Sequence, residues 1–527
     1  GGIEASRVFT KIHLAMFGLI PWEACPVMPP ELVFMPNWFP INIYQFSSWA
    51  RATIVPMTII CATKPVQNLP EKYNIEELFA NPPDKRDFSF KLENRPKLSW
   101  ENFFIQLDKF LKYVEKSPIK PLRNTAIQRC ADWTWAHVEK TEDIYPALAY
   151  CALAFKALGY KKDSLQIAKP YKALLKFQQR YSETDVPALP GKEIPKGVRI
   201  HQQCCISPVW DTPWTLMALL EAGVPGNDER LLKAGQWLIE RQITETRGDW
   251  AVKNPHAKPG GWSFEFENEY YPDVDDTIEV LSVLKRLDLP EAQKRTSIAL
   301  GLEWLLSMQN DDGGWGAFDK NQTLELVNRI PFSDHGACLD PSTPDITARM
   351  IEFLAGHGYD KNYKPIKKAL KFLWKHQEKF GGWFGRWGIN YIYGTWCVLT
   401  ALKDLNWDMN EERVKRAVTW LKSAQLQDGG WGESPESYKE KKFVSLKRST
   451  ASQTAWALMG LNAGAKDETK VIQRGVDFLL NTRRKTDGGW DERDYTGTGF
   501  PGHFYIRYHG YRHYFPLLAL AKVKNGG

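Results

Sequence analysis

One short unit recurs along the C-terminal part of the chain and limits its fold more than any other feature. It reads Trp304-Leu305, then Gln309, then Gly313-Gly314-Trp315. It returns as Phe372-Leu373, Gln377, Gly381-Gly382-Trp383, and again as Trp420-Leu421, Gln425, Gly429-Gly430-Trp431. A looser copy is Phe478-Leu479, Arg483, Gly488-Gly489-Trp490, and the earliest is Trp237-Leu238, Gln242, Gly248-Asp249-Trp250. In the three regular copies Gln precedes Trp by six residues. A helix that ends at Gly-Gly can use the left-handed cap without strain, and the Trp can then stack back on the Gln amide. The Trp-to-Trp steps of 65, 68, 48 and 59 residues leave room for two helices each. Repeats of that length predict an array of helix pairs, stacked or closed. Strand signals are few, so the expected class is all-α. As turns, these units staple a fold and need no part in chemistry.

The repeat is dense from about residue 206 onward and fades before it. Gln128, Trp133 and Trp135 lie close together without a glycine turn, and VPALPGKEIPKG (186–197) reads as an inter-domain linker. A boundary is expected near 205, giving an N-terminal domain over 1–205 and a C-terminal domain over 206–527. Charge is ordinary for 527 residues, at net +7 with 25% charged side chains, which argues against a nucleic-acid binder. The longest apolar run, Ala52 to Ala62, is too short to span a membrane and holds a proline. The first residues, GGIEASRVFT, lack Met and a signal-peptide pattern and read as the middle of a longer chain. Eight scattered Cys with no CxxC fit reduced, buried thiols.

The chemistry concentrates in Asp273-Val274-Asp275-Asp276-Thr277, which follows Tyr270-Tyr271-Pro272. Pro272 suits the first turn of a helix, which would put the carboxylates at a helix N-terminus. So many like charges cannot all ionise cheaply in an apolar site, so at least one carboxyl should stay protonated near neutral pH. A neutral Asp among aromatic rings is a Brønsted acid. The same spacing also fits capping with solvated charge, or a Mg²⁺ site, although no partner motif for a metal stands out. A second group, Asp340-Pro341-Ser342-Thr343-Pro344-Asp345, leads to Arg349. Asp345 and Arg349 are i and i+4 on a helix that Pro344 can begin, either as a simple ion pair or as a support for the acid cluster. Gly497, Gly499 and Gly502 match a GxGxxG pattern, but no strand precedes them and Pro501 interrupts them. His509 and His513 lack the surroundings of a zinc site.

Taken together, these segments resemble the triterpene cyclases. The Gln…Gly-Gly-Trp unit is similar to their QW motif. Asp273–Asp276 resembles the DxDD motif in the form used by squalene–hopene cyclases, whereas the DCTAE motif of oxidosqualene cyclases is absent. The likeness covers nearly the whole chain, through NIYQFSSWARA (42–52), ISPVWDT (206–212), GDWAVKNP (248–255), FGRWGINYIYGT (384–395) and YTGTGFPGHFYIRYHGYRH (495–513). Family members start about a hundred residues earlier, so an N-terminal part is expected to be missing and the N-terminal domain incomplete.

The resemblance implies two α/α barrels, the second carrying the acid, with an apolar cavity between them. It implies acid-initiated cyclisation of squalene to hopene or hopanol, with no metal or other cofactor. Asp275 matches the proton donor, Asp273 and Asp276 its supporting carboxylates, and Asp345 an acidic partner behind them. Arg349 stands where some members have His, and Phe318 where one type has Tyr. Trp49, Trp210, Phe264, Phe318, Trp387, Tyr393, Phe500, Phe504, Tyr508 and Tyr511 match cavity aromatics that stabilise carbocations, which accounts for an aromatic content of 13%. Each ring face attracts a cation by ~0.5–2 kcal/mol and offers no lone pair to quench it. Alternatives are another DxDD cyclase, making tetrahymanol or using a shorter prenyl chain, an α/α-barrel glycosidase, or an inactive helical-repeat protein.

Squalene is carried in lipid, so the resemblance also implies a peripheral, monotopic enzyme on the cytoplasmic face of a membrane, with a homodimer left open. The sequence candidate for the membrane contact is Ser99 to Lys116. Trp100, Phe103, Phe104, Leu107, Phe110, Leu111 and Val114 recur at helical spacing, and Lys109, Lys112 and Lys116 line another face. The alternative is a surface helix with its apolar side against the core.

Overall fold

The computed structural model describes all residues except 1, 91–95, 97, 140–143, 182–198, 335, 466–468 and 527. The linker expected at 186–197 lies outside the described residues. The chain divides into two compact units. Unit 1 holds residues 1–180, 200–205 and 322–340; unit 2 holds 181–199, 206–321 and 341–527. The sequence boundary at 205 assigns 322–340 to the C-terminal domain. In the structure Gln322 donates to the Tyr44 and Phe46 carbonyls, and Ser47 N to the Cys338 carbonyl. These bonds satisfy buried backbone groups of unit 1 and hold the segment there.

Unit 1 contains helices α1 (Val8–Met16), α2 (Ser48–Thr63), α3 (Trp100–Glu115), α4 (Arg123–Glu139), α5 (Tyr145–Ala157) and α6 (Leu165–Lys176). α2 packs on α4 and α5, and α5 on α6. Strands β1 (Gln178–Tyr181) and β2 (Arg199–Gln202) pair with each other. An apolar cavity of about 500 Å³ lies in this unit, lined by Phe9, Met28, Ile54, Phe104, Leu107 and Leu111 among others. Among the described residues no helix is long and apolar enough to cross a membrane.

Unit 2 contains α7 (Pro208–Glu221), α8 (Glu229–Glu240), the short α9 (Trp250–Lys253), α10 (Val274–Leu284), α11 (Glu291–Ser307), α12 (Pro344–Gly356), α13 (Lys364–Lys375), α14 (Tyr391–Asp404), α15 (Glu412–Ser423), the short α16 (Glu436–Glu440), α17 (Ala451–Gly464), α18 (Thr469–Thr482) and α19 (Tyr511–Lys524). α7, α10, α12, α14, α17 and α19 each pack on the next, and α19 returns to α7. This closes an inner ring of six helices. α8, α11, α13, α15 and α18 pack on its outside. The composition of the helices follows this division. α10, α12, α14 and α17 are buried over almost their whole length, whereas α13 and α15 bury only one stripe, such as Ile366, Ala369, Leu370, Phe372 and Leu373. The class is all-α, built from helix pairs. Among the described residues from 206 onward, the strands form two-stranded hairpins: β3 (Trp262–Ser263) with β4 (Pro272–Asp273), β5 (Trp431–Glu433) with β6 (Ser445–Thr450), and β7 (Gly497–Phe500) with β8 (Phe504–Ile506). Gly497–Gly502, read above as a spurious dinucleotide motif, forms β7 and its turn.

The repeated turn works through three hydrogen bonds. In the copy at Gln309, the side-chain amide donates both to the Gly313 carbonyl and to the Pro365 carbonyl of the next outer helix, at 2.9 Å each. Gln377 and Gln425 do the same to Gly381 and Arg413, and to Gly429 and Val471. The third bond is the indole's: Trp315, Trp383 and Trp431 each donate at 2.8 Å to a Leu carbonyl ten residues earlier. This pattern corrects the earliest copy. Gln242 bonds Gly260 and Ser297, and the indole bonded to Leu238 is that of Trp262, not Trp250. An insertion carrying α9 separates Gln242 from its Gly260-Gly261-Trp262. Trp250 instead packs edge-on against Trp304.

The first glycine of each regular turn is doubly constrained. Gly381 has φ +111°, and a Cβ there would sit 2.7 Å from the Arg416 carbonyl. Gly358 is also left-handed, at φ +84°, but has nothing within 4 Å of a Cβ. Gly358→Ala should therefore cost only backbone strain, ~1–2 kcal/mol. Gly381→Ala adds a clash with the backbone of the next helix and should cost about 3–5 kcal/mol. Denaturant unfolding of the two variants checks this, and equal losses would contradict the close-packed turn.

Candidate active site

α10 begins at a cap made by the acid motif itself. Asp273, 6% exposed, accepts from the backbone N–H of Asp275 at 2.7 Å and of Asp276 at 3.2 Å. Pro272 therefore lies one step earlier than expected, in β4 rather than in the first helical turn. Asp275 and Asp276 are both buried, and among the described residues Oδ1 of each lacks a hydrogen-bond partner. Burial pushes the Asp275 carboxyl up to about 6, with Arg349 opposing and Asp345 adding to the rise. Asp276 is pushed well above the ordinary carboxyl value, by burial first and then by Asp273, Asp275 and Glu265.

Asp345 and Arg349 do not pair with each other as their spacing on α12 suggests. The Asp345 carboxylate accepts from the backbone N–H of Arg386 at 2.8 Å and of Trp387 at 3.0 Å. Arg349 turns toward α10 and α14. Its Nη1 lies 3.0 Å from Glu279 Oε1, its Nε 3.5 Å from Asp275 Oδ1, and its Nη2 donates to the Tyr393 hydroxyl. The rings of Trp210, Trp214, Tyr393 and Trp396 stand 5.0–5.5 Å from the guanidinium carbon. These contacts and the nearby carboxyls hold Arg349 protonated despite burial.

The predicted aromatics of unit 2 extend from this point. Trp210 donates to the Tyr511 hydroxyl at 3.0 Å, and Tyr511 stacks on Tyr508 at 4.6 Å. Tyr508 meets Phe264 edge-on at 6.3 Å, and Phe318 meets Trp387 edge-on at 6.4 Å. Phe500 and Phe504 face each other, 6.1 Å apart, across the β7–β8 hairpin. Trp49 belongs to unit 1, where its indole donates to the Ala337 carbonyl at 2.7 Å.

Known proteins share both parts of this sequence. The squalene-hopene cyclase C-terminal domain matches residues 206–525, and the corresponding N-terminal domain matches residues 1–183. The squalene–hopene cyclase of Alicyclobacillus acidocaldarius is 42% identical over 99% of this chain and 80% of its own length. That of Zymomonas mobilis is 40% identical over 100% of this chain and 79% of its own. Dammaradiene synthase of the fern Dryopteris crassirhizoma is 38% identical over 99% of this chain and 78% of its own. The chain belongs to the squalene–hopene cyclase family. The glycosidase alternative falls with that membership.

Three residues of this cyclase site were not foreseen from sequence. Glu279 is buried on α10, and Trp214 and Trp396 complete the aromatic box around Arg349. Each carries a periodic signal: Glu279 follows Asp275 by four residues, Trp214 follows Trp210 by four, and Trp396 follows Tyr393 by three. Glu279 is pushed up to about 8, by burial against the opposing pull of Arg349 and with Asp275 adding to the rise.

Raised carboxyl values make the site a stability burden that grows with pH. A carboxyl whose folded value is raised contributes least penalty below the unfolded value and most above the folded one. Asp276→Asn removes that penalty, and its amide can still bond Asp273. Its unfolding midpoint should exceed wild type by more at pH 8 than at pH 4, while cyclase activity falls. A pH-independent difference would show that Asp276 is ionised equally in both states.

Proposed function

We propose that this chain cyclises squalene, a linear isoprenoid, to hopene- or hopanol-type pentacyclic triterpenes, with Asp275 as the proton donor. The observation that carries the reading is a buried aspartic acid with a raised titration point and an oxygen that makes no hydrogen bond, set among aromatic rings. The Asp275 O–H bond breaks as a C–H bond forms at a terminal alkene carbon, and the alkene π pair supplies the electrons. The positive charge then moves through successive ring closures. Loss of a proton ends the cascade as the alkene, and capture by water ends it as the alcohol. Asp273 holds the helix turn that presents Asp275, Asp276 stands beside it, Asp345 disfavours its ionisation, and Arg349 fixes its position. Trp210, Phe264, Phe318, Trp387, Tyr393, Phe500, Phe504, Tyr508, Tyr511 and Trp49 are assigned to stabilising the cations. Incubation with squalene and mass-spectrometric analysis of products tests the reading. Asp275→Asn is nearly isosteric but donates no proton of useful acidity, so turnover should drop at least ~10³-fold with the unfolding midpoint retained. Wild-type-like turnover in that variant would remove Asp275 from the role.

The same reading calls for contact with lipid, and α3 is the proposed contact. Ser99 caps it by accepting from Asn102 N–H at 3.3 Å. Its burial is inverted for a surface helix. Glu101 and Asp108 are turned inward with Phe104 and Ile105, whereas Trp100, Phe103, Phe110, Tyr113 and Val114 are exposed. Asp108 accepts from Val27 N–H and pairs with Lys112, and Glu101 pairs with Arg329. The buried acids are thus satisfied, and the open stripe of large apolar groups fits a bilayer interface. Leu107 and Leu111 line the apolar cavity beneath. Replacing Trp100, Phe103 and Phe110 with Ser should abolish co-sedimentation with liposomes and leave the unfolding midpoint within a few degrees of wild type. Undiminished liposome binding by the folded variant would move the contact elsewhere.

A further inference from the structure

Arg349 is a fixed positive charge beside the residue assigned as a proton donor. Taken alone, that arrangement works against the acid. A cation within ~4–6 Å favours the ionised carboxylate, commonly by 1–3 pKa units. The structure contains a group that answers this. We propose that Glu279 is a positioning residue that holds Arg349 as its counter-ion and thereby keeps the proton on Asp275; this rests on the cyclase reading above.

The geometry separates the two carboxyls. Glu279 Oε1 is hydrogen-bonded to Arg349 Nη1 at 3.0 Å. Asp275 Oδ1 stands 3.5 Å from Arg349 Nε, and among the described residues neither atom has a hydrogen-bond partner. The guanidinium cannot move freely between them, because the Tyr393 hydroxyl takes Nη2 and four rings enclose the group. A buried guanidinium needs an anion, and a second anion in the same dry volume is costly. Two carboxyls sharing one cation therefore keep one proton between them. The geometry assigns the anion to the hydrogen-bonded member, Glu279, and the proton to Asp275, against the burial that raises Glu279 further than Asp275.

The other charged groups around the pair support this division. From α10 itself come Asp276 and the capping Asp273. From the β3 hairpin comes Glu265, which acts on Asp276. α12 brings Asp345, which disfavours ionisation of Asp275, and Glu352, which acts on Glu279. α14 brings Tyr393 and Cys397, both driven up by burial and neutral near pH 7. α19 brings Tyr511, likewise neutral. On α7, Asp211 is bonded to Ser207 and to Tyr514 of α19. The charged groups acting on Glu279 are Arg349, Asp275 and Glu352. Arg349 is the single cation among them.

The test is the pH dependence of kcat with squalene. A proton donor is active below its own titration point, so the rate falls on the alkaline side. Glu279→Gln leaves Arg349 with Asp275 as its only anion. The alkaline limb should then move at least one pH unit lower, an approximately tenfold loss at a pH on that limb, with activity recovered on acidification. Glu279→Asp should return most of the shift. Adding Arg349→Gln to Glu279→Gln should move the limb back up, because the cation that favoured the carboxylate is gone. If Glu279→Gln does not fold, Arg349→Gln alone decides: its limb should lie at or above that of wild type, and a downward shift overturns the proposal. A Glu279→Gln enzyme that loses activity equally at every pH also overturns it and makes the residue structural. If wild type turns over squalene, Asp275→Asn is inactive and Glu279→Gln leaves the limb unmoved, only this inference fails. If wild type is inactive with squalene, the cyclase reading itself fails and takes this inference with it.

Discussion

The site depends on the common register of the inner helices. The backbone N–H of four repeat tryptophans donates to a threonine hydroxyl in the first turns of the next inner helix: Trp262 to Thr277, Trp315 to Thr347, Trp383 to Thr395 and Trp431 to Thr454. The bond lengths are 2.9–3.1 Å. This ties four of the six inner helices, α10, α12, α14 and α17, to their preceding turns at the same height. The residues two places before those threonines then form one layer, and Asp275, Asp345 and Tyr393 are three of its members. The residues two places after form a second layer, with Glu279, Arg349, Cys397 and Trp456. The cross-helix contacts follow this scheme: Arg349 of the second layer reaches up to Asp275 and Tyr393 of the first, and sideways to Glu279. The site is a repeat position occupied by acids on two neighbouring helices.

That placement brings opposing forces onto the same groups. A helix N-terminus favours a negative charge, typically by 0.3–1 kcal/mol. Burial disfavours it by several kcal/mol per ion once water is removed. Desolvation wins at Asp275, Asp276 and Glu279, which all shift upward. Asp273, the cap of α10, and Asp345, in the first turn of α12, each accept two backbone N–H groups. These two acids serve as anchors for backbone groups.

The repeat spacing, the all-α class and the residues of the DxDD segment were legible in the sequence because each is written in consecutive positions. The first copy was misplaced because Gly248-Asp249-Trp250 mimics the turn, while the true Gly260-Gly261-Trp262 lies beyond an insertion that spacing alone cannot bridge. The Asp345–Arg349 pair failed for a different reason. Helical spacing brings the two side chains to one face, but the backbone N–H groups of Arg386 and Trp387 come from a distant loop and take the carboxylate. The segment 322–340 looked like a continuation of the C-terminal domain because nothing in its composition records which unit accepts its hydrogen bonds. The amphipathic pattern of α3 is plain in its sequence, but its inward face carries Glu101 and Asp108 beside Phe104 and Ile105. Which face a helix buries depends on the partners waiting for its polar groups, and those are tertiary facts.

The identities at 279 and 349 explain each other. A histidine at the second position, as in some members of the family, can be neutral and needs no permanent counter-ion. An arginine stays charged at any pH the protein meets and presents several donors in a fixed fork. Placed between α10 and α14, it must find an anion that is not the acid, acceptors for its remaining N–H groups, and an environment that tolerates a cation. Glu279 supplies the first and the Tyr393 hydroxyl part of the second. The faces of Trp210, Trp214, Tyr393 and Trp396 supply the third. Removing Glu279 alone would leave the cation to Asp275, and removing Arg349 alone would leave Glu279 as a buried carboxyl that must hold its own proton. The pair therefore works as one unit, and the aromatic box that surrounds it is set by the arginine as much as by the substrate.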